Sequence, residues 1–321
     1  MIDADSARLG AFARARVSAQ AHMARAEAYG LSWLEETATE LVLVGASPFV
    51  KFIPFTKRQE GGAFGTGADW LWWWVGEGGV SFGTLVQAKR LKKRDGGPWQ
   101  IDFGYNSGQQ LRSLLATADA LKVAPTYALY FGSPNYRSPI DCGADDHPSD
   151  FEACERCNRK TVSFLAAILA TPGCGVGNDP AEAYARSVPI EDLADPDVEI
   201  ESPWVLPSLE LEAELREFLF QPQSGPRKFA KSLIEQVCRI RFGQFSLAEE
   251  EMVGTISDDP VFTSLPIDQG HMYTPYFPQI LRGLRRTPPS YVLDALAGDN
   301  PMGLETNGLA GLVIVDARSS N

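Results

Sequence analysis

Asp69, Gln87 and Lys89 are the residues whose types and spacing carry chemistry. Gln87 and Lys89 stand two apart in GTLVQAKRLKK (83–93), a segment that reads as a strand, so alternation puts them on one side with Leu85 and Leu91. Asp69 opens TGADWLWWWVG (66–76), the extended segment before it. If the two segments are neighbours, a carboxylate, an amide oxygen and an ammonium converge at one end of a sheet. A divalent cation such as Mg2+ takes hard oxygen ligands, and a carboxylate, an amide carbonyl, a main-chain carbonyl and water make such a set. A lysine beside it orients or helps deprotonate an attacking water, or neutralises charge developing at phosphorus. The chemistry in view is metal-assisted hydrolysis of a phosphodiester. The plainer reading is a structural Asp69–Lys89 pair, because an unpartnered Lys or Gln in a core is costly.

The elements that must position these residues follow from local pattern. Residues 6–28 read as a helix closed by Gly30, and 32–44 as a second, with Ser32 as cap, Glu35 as its capping-box partner and Leu31, Leu34, Ala38, Leu41 and Val42 as the apolar stripe. FVKFIPFTK (49–57), then 66–76 after Gly62, Gly65 and Gly67, then 83–93 after the GEGG turn, read as three strands whose short spacers predict antiparallel neighbours. SGQQLRSLLATADAL (107–121) reads as a helix capped by Ser107, with Leu111, Leu114, Leu115 and Ala118 inward. PTYALYFG (125–132) reads as a strand buried on both faces. Beyond residue 135 the pattern predicts helices at 158–170, 209–220 and 227–243, a long surface connection over 172–208, and a last strand in GLAGLVIVDAR (308–318).

Helix, three strands, helix, strand, with Asp on the second strand and an acid-x-Lys position on the third, resembles the PD-(D/E)xK nuclease superfamily, the restriction-endonuclease-like fold. Glutamine in the acid position resembles the Mrr-type branch, and GADWLWWW through QAKRL resembles uncharacterised bacterial proteins expected to share that fold. The resemblance covers roughly residues 30–132. It implies an α/β nuclease core, Mg2+ or Mn2+ as cofactor, DNA as substrate, and Asp69, Gln87 and Glu35 as the metal-binding set, with Lys89 as the fourth catalytic residue. Leu34, Glu35, Ala38, Leu41 and Val42 fit the branch's helical pattern, and Glu35 sits about 100° from Leu34 at the edge of the stripe while Glu36, the fallback, points about 200° away. On the helix after the strands a polar residue commonly faces such a site. Gln110, four before Leu114, is inward, and Gln109 is more exposed. Arg90, Lys92 and Lys93 are expected on phosphates, with Gln110 also facing the nucleic acid. Glutamine for Asp or Glu removes one negative charge, so metal affinity should be weaker unless Glu35 compensates. A catalytically inactive module of the same fold that binds nucleic acid or a partner protein is the alternative. A homodimer and a phage-defence partner are further expectations of the resemblance.

Composition bounds the rest. With 44% hydrophobic and 22% charged residues the chain is globular in character, and no run of about 18 apolar residues predicts a membrane span. Residues 1–135 carry 14 Lys+Arg against 12 Asp+Glu, and 136–321 carry 15 against 29, so the net −12 is unevenly spread. The tightest basic cluster, Lys89, Arg90, Lys92, Lys93 and Arg94, lies in the first part, and a local field can draw nucleic acid to an acidic protein. The expected division is a nuclease-like core with an N-terminal helix over 1–135 and an acidic, mostly helical remainder over 136–321 that packs on it or gates it. Five cysteines and no secretory signal predict the cytoplasm.

Several features fit less specific roles. Trp70, Trp72 and Trp74 share one face of their strand and read as core, while Trp73, on the face of Asp69, is the one expected to border a substrate. Cys154 and Cys157 form C-x-x-C. Buried thiols are the leading reading there, and a structural Zn2+ held with Cys142 and Cys174, or His147, is the lesser one. His271 has no nucleophile context, and Gly173, Gly175 and Gly177 lack the spacing of a phosphate loop.

Overall fold

The computed structural model describes residues 4–55, 66–93, 98–137, 140, 147–148, 150–171, 176–202, 211–240, 257–262, 265, 276–301, 304 and 308–318. Gly62, Gly65, Arg94, Cys142, Gly173, Cys174, Gly175 and His271 lie outside them. The fold is mixed α/β, as expected. Its strands are β1 (Val50–Pro54), β2 (Trp70–Val75), β3 (Ser81–Arg90), β4 (Lys92–Lys93), β5 (Trp99–Gln100), β6 (Ala124–Tyr130), β7 (Val162–Ala166), β8 (Val188–Pro189), β9 (Leu284–Arg285) and β10 (Gly311–Asp316). Its helices are α1 (Ala4–Ala28), α2 (Glu35–Gly45), α3 (Gln109–Ala120), α4 (Glu155–Arg159), α5 (Pro180–Arg186), α6 (Ile190–Ala194), α7 (Ala213–Phe220), α8 (Gly225–Ile240), α9 (Tyr276–Leu281) and α10 (Ser290–Ala297). Among the described residues no helix is long and apolar enough to cross a membrane.

One eight-stranded sheet runs β1-β10-β2-β3-β6-β7-β8, with β9 also on β3, and β4–β5 form a separate hairpin. β2 and β3 are the antiparallel neighbours the spacing predicts. β1 is not next to β2, because β10 lies between them, antiparallel to β1 and parallel to β2. Leu312, Val313, Ile314 and Val315 are all buried, so this β-branched run needs cover on both faces and partners at both edges. That need is met far along the chain, where local spacing gives no sign of it. Residues on both sides of 135 therefore build the same sheet, and β7, β8, β9 and β10 all come from the stretch expected to be mostly helical.

Other elements also differ from expectation. The helix expected over 158–170 is instead the end of α4 followed by β7, which pairs antiparallel with β6. A short, wholly apolar run fits a strand buried on both faces as well as it fits a helix. The expected surface connection carries α5, capped by Asp179 with Pro180 in its first turn, and α6, whose Ile190 and Leu193 are buried. α2 begins at Glu35 rather than beside Ser32; Leu34 stands at its cap with no side-chain bond, and Leu31 and Leu34 are exposed. α3 is capped by Gly108, not Ser107, with a left-handed backbone (φ 75°) that a side chain would strain. Its inward Leu111, Leu114 and Ala118 are as expected, while Leu115 is only half-buried.

Trp72, Trp73 and Trp74 of β2 are buried in the core. Trp74 stacks on Phe12 of α1 and meets Phe229 of α8 edge-on, and Trp72 meets Phe164 of β7 edge-on. Trp73, expected at the edge of a substrate, is wholly buried and donates through Nε1 to the Tyr291 hydroxyl at 3.1 Å. Burying one such side chain stabilises a fold by about 3–5 kcal/mol relative to Ala. Because β10 separates β1 from β2 and β7 pairs with β6, a fragment ending at residue 135 leaves β1 with no partner, β2 without β10 on one edge and β6 without β7 on the other. That fragment is expected to show no cooperative urea transition, whereas the full chain shows one. A cooperative transition of the fragment, followed by tryptophan fluorescence, would contradict the topology.

Candidate active site

β3 is ten residues long and β2 six, so the end of β3 runs past its neighbour. The register pairs Trp70 with Val86 and so sets Asp69 opposite Gln87. There the Asp69 side chain takes over from the ladder: its Oδ2 accepts the Ala88 backbone N–H at 2.8 Å and the Gln87 amide Nε2 at 2.7 Å. Gln87 Nε2 also donates to the Ala88 carbonyl at 3.1 Å. Gln87 Oε1 accepts from Gln110 Nε2 at 3.0 Å, and Gln110 Oε1 accepts from the Lys89 ammonium. An ammonium only donates and an ionised carboxylate only accepts, so both ends fix the direction of the two amides between them. Lys89 and Asp69 are thus joined through Gln110 and Gln87 rather than as a direct ion pair.

Gln87 and Lys89 are 6% and 8% exposed, and β3 is buried on both faces as far as Lys89. Gly67 lets α3 approach. Its φ is +75°, and a Cβ there would stand 2.4 Å from the Gln110 carbonyl oxygen and 2.5 Å from the Leu114 nitrogen. This close passage holds Gln110 over Gln87. From the other face of the sheet, Thr39 of α2 bonds the Tyr130 hydroxyl at 2.8 Å, which seats the first turn of α2 beside the end of β3. A cleft of about 320 Å³ opens between them, lined by Glu35, Glu36, Asp69, Lys89, Lys92 and Asp102 among others. A second hollow of about 240 Å³, reaching Thr66, Asn106 and Ser113, shares Asp69, Gln87 and Gln110 with it.

Of the eight residues expected to form the site, Glu35, Asp69, Gln87, Lys89, Arg90, Lys92 and Gln110 line this cleft, and Lys93 is not part of its lining. Glu35 and its fallback Glu36 both line it, and Glu35 ion-pairs with Arg90 at 3.1 Å. Arg90 also lies over the Trp33 ring, 5.5 Å from its centroid. Lys92 is half-buried on the cleft wall, and Lys93 on the β4–β5 hairpin lies over Trp99. Asp102 and Tyr105 were not singled out. The Lys89 ammonium lies 5.6 Å from the Tyr105 ring centroid, and Asp102 is the strongest acidic influence on it. Asp102 follows the end of β5 and lines the cleft between the buried Ile101 and Phe103.

Burial pushes the Asp69 carboxyl up to about 6; the Ala88 N–H opposes this, and Glu36 and Glu35 add to it. Burial pushes the Lys89 ammonium down, against the pull of Asp102, Asp69 and Glu35. The donor chemistry is that of hard-cation ligands: a carboxyl whose pKa is raised by burial and by two acidic neighbours, beside the main-chain carbonyl of Ala88. Sequence comparison matches residues 11–321 to a family of unknown function (DUF6615), and the chain belongs to that family. No curated protein and no solved structure matches it.

A carboxyl that is harder to ionise in the folded state makes the folded protein bind more protons than the unfolded chain between about pH 4 and pH 6. Stability from this group is present below that window and is lost as pH rises through it. With EDTA present, the metal-free protein is expected to lose up to about 3 kcal/mol across the window, and Asp69→Asn to flatten the loss. Urea unfolding at pH 4 and pH 7 checks it; an Asp69→Asn profile identical to wild type would contradict it.

Proposed function

We propose that this protein is a metal-dependent nuclease that hydrolyses DNA phosphodiester bonds on a restriction-endonuclease-like core. The observation that carries the reading is the convergence of Asp69, Gln87, Lys89 and the α2 carboxylates on one cleft at the overhanging end of β3. The order α2, β1, β2, β3, α3, β6 supports it, with β10 between β1 and β2 as this chain's departure. Mg2+ or Mn2+ would be held by Asp69 and the Ala88 carbonyl, with Glu35 or Glu36 contributing from α2. For Gln87 to contribute oxygen its amide must turn over, since Nε2 now faces Asp69. A bound divalent ion supplies Lewis-acid polarisation of the phosphate and a more acidic water.

The chain's own groups do the rest. Lys89, with its ammonium held down by burial and oriented by Gln110, positions the attacking water, takes its proton, or neutralises the charge developing at phosphorus. Arg90, Lys92 and Lys93 form the rim that meets phosphates, which fixes register without reading sequence.

One observation favours a second reading, a non-catalytic module of the same fold that binds nucleic acid or a partner protein. The relay from Lys89 to Asp69 is internally satisfied, and Gln87 carries no charge. Plasmid DNA separates the two. The wild type is expected to nick it with Mg2+ or Mn2+, and Lys89→Ala to lower the rate by about a hundredfold or more while keeping the circular dichroism spectrum of the folded protein. Binding without nicking by the wild type, or equal nicking by the folded variant, would favour the binding module.

A further inference from the structure

The long connection between β6 and β7 brings together three side chains that the nuclease reading does not use. Cys154 and Cys157 flank the first turn of α4 and are buried, and neither is in a disulfide. The Cys157 backbone N–H points at Cys154 Sγ at 3.5 Å, the way a C-x-x-C turn presents both sulfurs to one point. His147 Nε2 lies 3.1 Å from Cys157 Sγ, and its ring packs on Phe151 with centroids 4.4 Å apart. The ligand atoms of all three residues lie within 4.8 Å of one another.

We propose that His147, Cys154 and Cys157 bind a structural zinc ion. The donor chemistry selects it, because two thiolates and an imidazole are soft to borderline ligands, unlike the oxygen set of the cleft. The imidazole is already oriented. Its Nδ1 lies 2.8 Å from the Pro148 carbonyl, which only accepts, so Nδ1 carries the proton and Nε2 presents its lone pair to the sulfurs. Zinc–sulfur and zinc–nitrogen bonds of about 2.3 and 2.0 Å put tetrahedral ligands about 3.5–3.8 Å apart, within roughly 1 Å of the observed spread. Binding displaces the two thiol protons to solvent and leaves a neutral four-coordinate centre with water in the remaining position.

The centre has a mechanical role. Arg137 donates to the carbonyls of Gly132 and Cys157 and to Thr161 Oγ1, tying the start of the β6–β7 connection to its end. Beside it, Tyr136 accepts the Lys93 backbone N–H at 3.2 Å and packs against Trp99, 4.5 Å between centroids. A metal that fixes the end of the connection therefore also braces the β4–β5 hairpin. This holds whether or not the cleft cuts DNA.

The test is metal analysis of the full chain expressed with zinc in the medium. About one zinc per chain is expected, with loss in Cys154→Ser, Cys157→Ser and His147→Ala. Because a variant can fail to fold, the metal-free wild type is also titrated with Co2+. A near-ultraviolet thiolate-to-cobalt band that saturates at one equivalent and is bleached by zinc is expected, with a rise in melting temperature. Zinc below roughly 0.1 per chain with no cobalt band, or full zinc retention in all three variants, would overturn the assignment.

Discussion

A buried ammonium and a buried carboxylate, joined end to end through two amides, set the terms for the rest of the structure. Lys89 and Asp69 each cost free energy to bury, and neither bonds the other directly. Between them Gln110 and Gln87 each give an oxygen to one side and an N–H to the other, so each charged group has a hydrogen-bond partner. Reverse either amide and two donors or two acceptors would face each other. An acid at position 87 would set two carboxylates side by side in a dry site, which accounts physically for an uncharged residue there.

The fold serves this arrangement by holding three elements in register. The difference in length between β2 and β3 frees the Ala88 N–H for Asp69. The left-handed Gly67 lets α3 come close enough for Gln110 to reach Gln87, and the Thr39–Tyr130 bond sets the acidic first turn of α2 across the cleft. Behind them β10, paired between β1 and β2, and the close-packed aromatic layer of Trp72, Trp74, Phe164 and Phe229 back the sheet on which the site stands.

Much of the site was legible in sequence because it depends on short-range periodicity. Two-residue alternation put Gln87 and Lys89 on one face, and helical spacing turned Gln110 inward and Gln109 outward. What failed was long-range or conformational. The position of β10 depends on its pairing with β2, whose residues lie 241 positions earlier in the chain (Gly311 with Trp70). β7 reads equally as helix because both of its faces are buried. The partner of Lys89 was expected to be Asp69 by charge alone, but direct contact was displaced by a relay that depends on how closely α3 approaches. Ser32 and Ser107 have good capping chemistry, yet the helices begin two or three residues later, at Glu35 and Gln109.

The most direct measurement is a crystal structure of the protein soaked in Mn2+, read from its anomalous density. The account predicts a peak about 2.1 Å from an Asp69 carboxylate oxygen and from the Ala88 carbonyl oxygen, with the Gln87 amide turned to present Oε1. An empty cleft at millimolar Mn2+, with the Lys89–Gln110–Gln87–Asp69 relay unbroken, would contradict it.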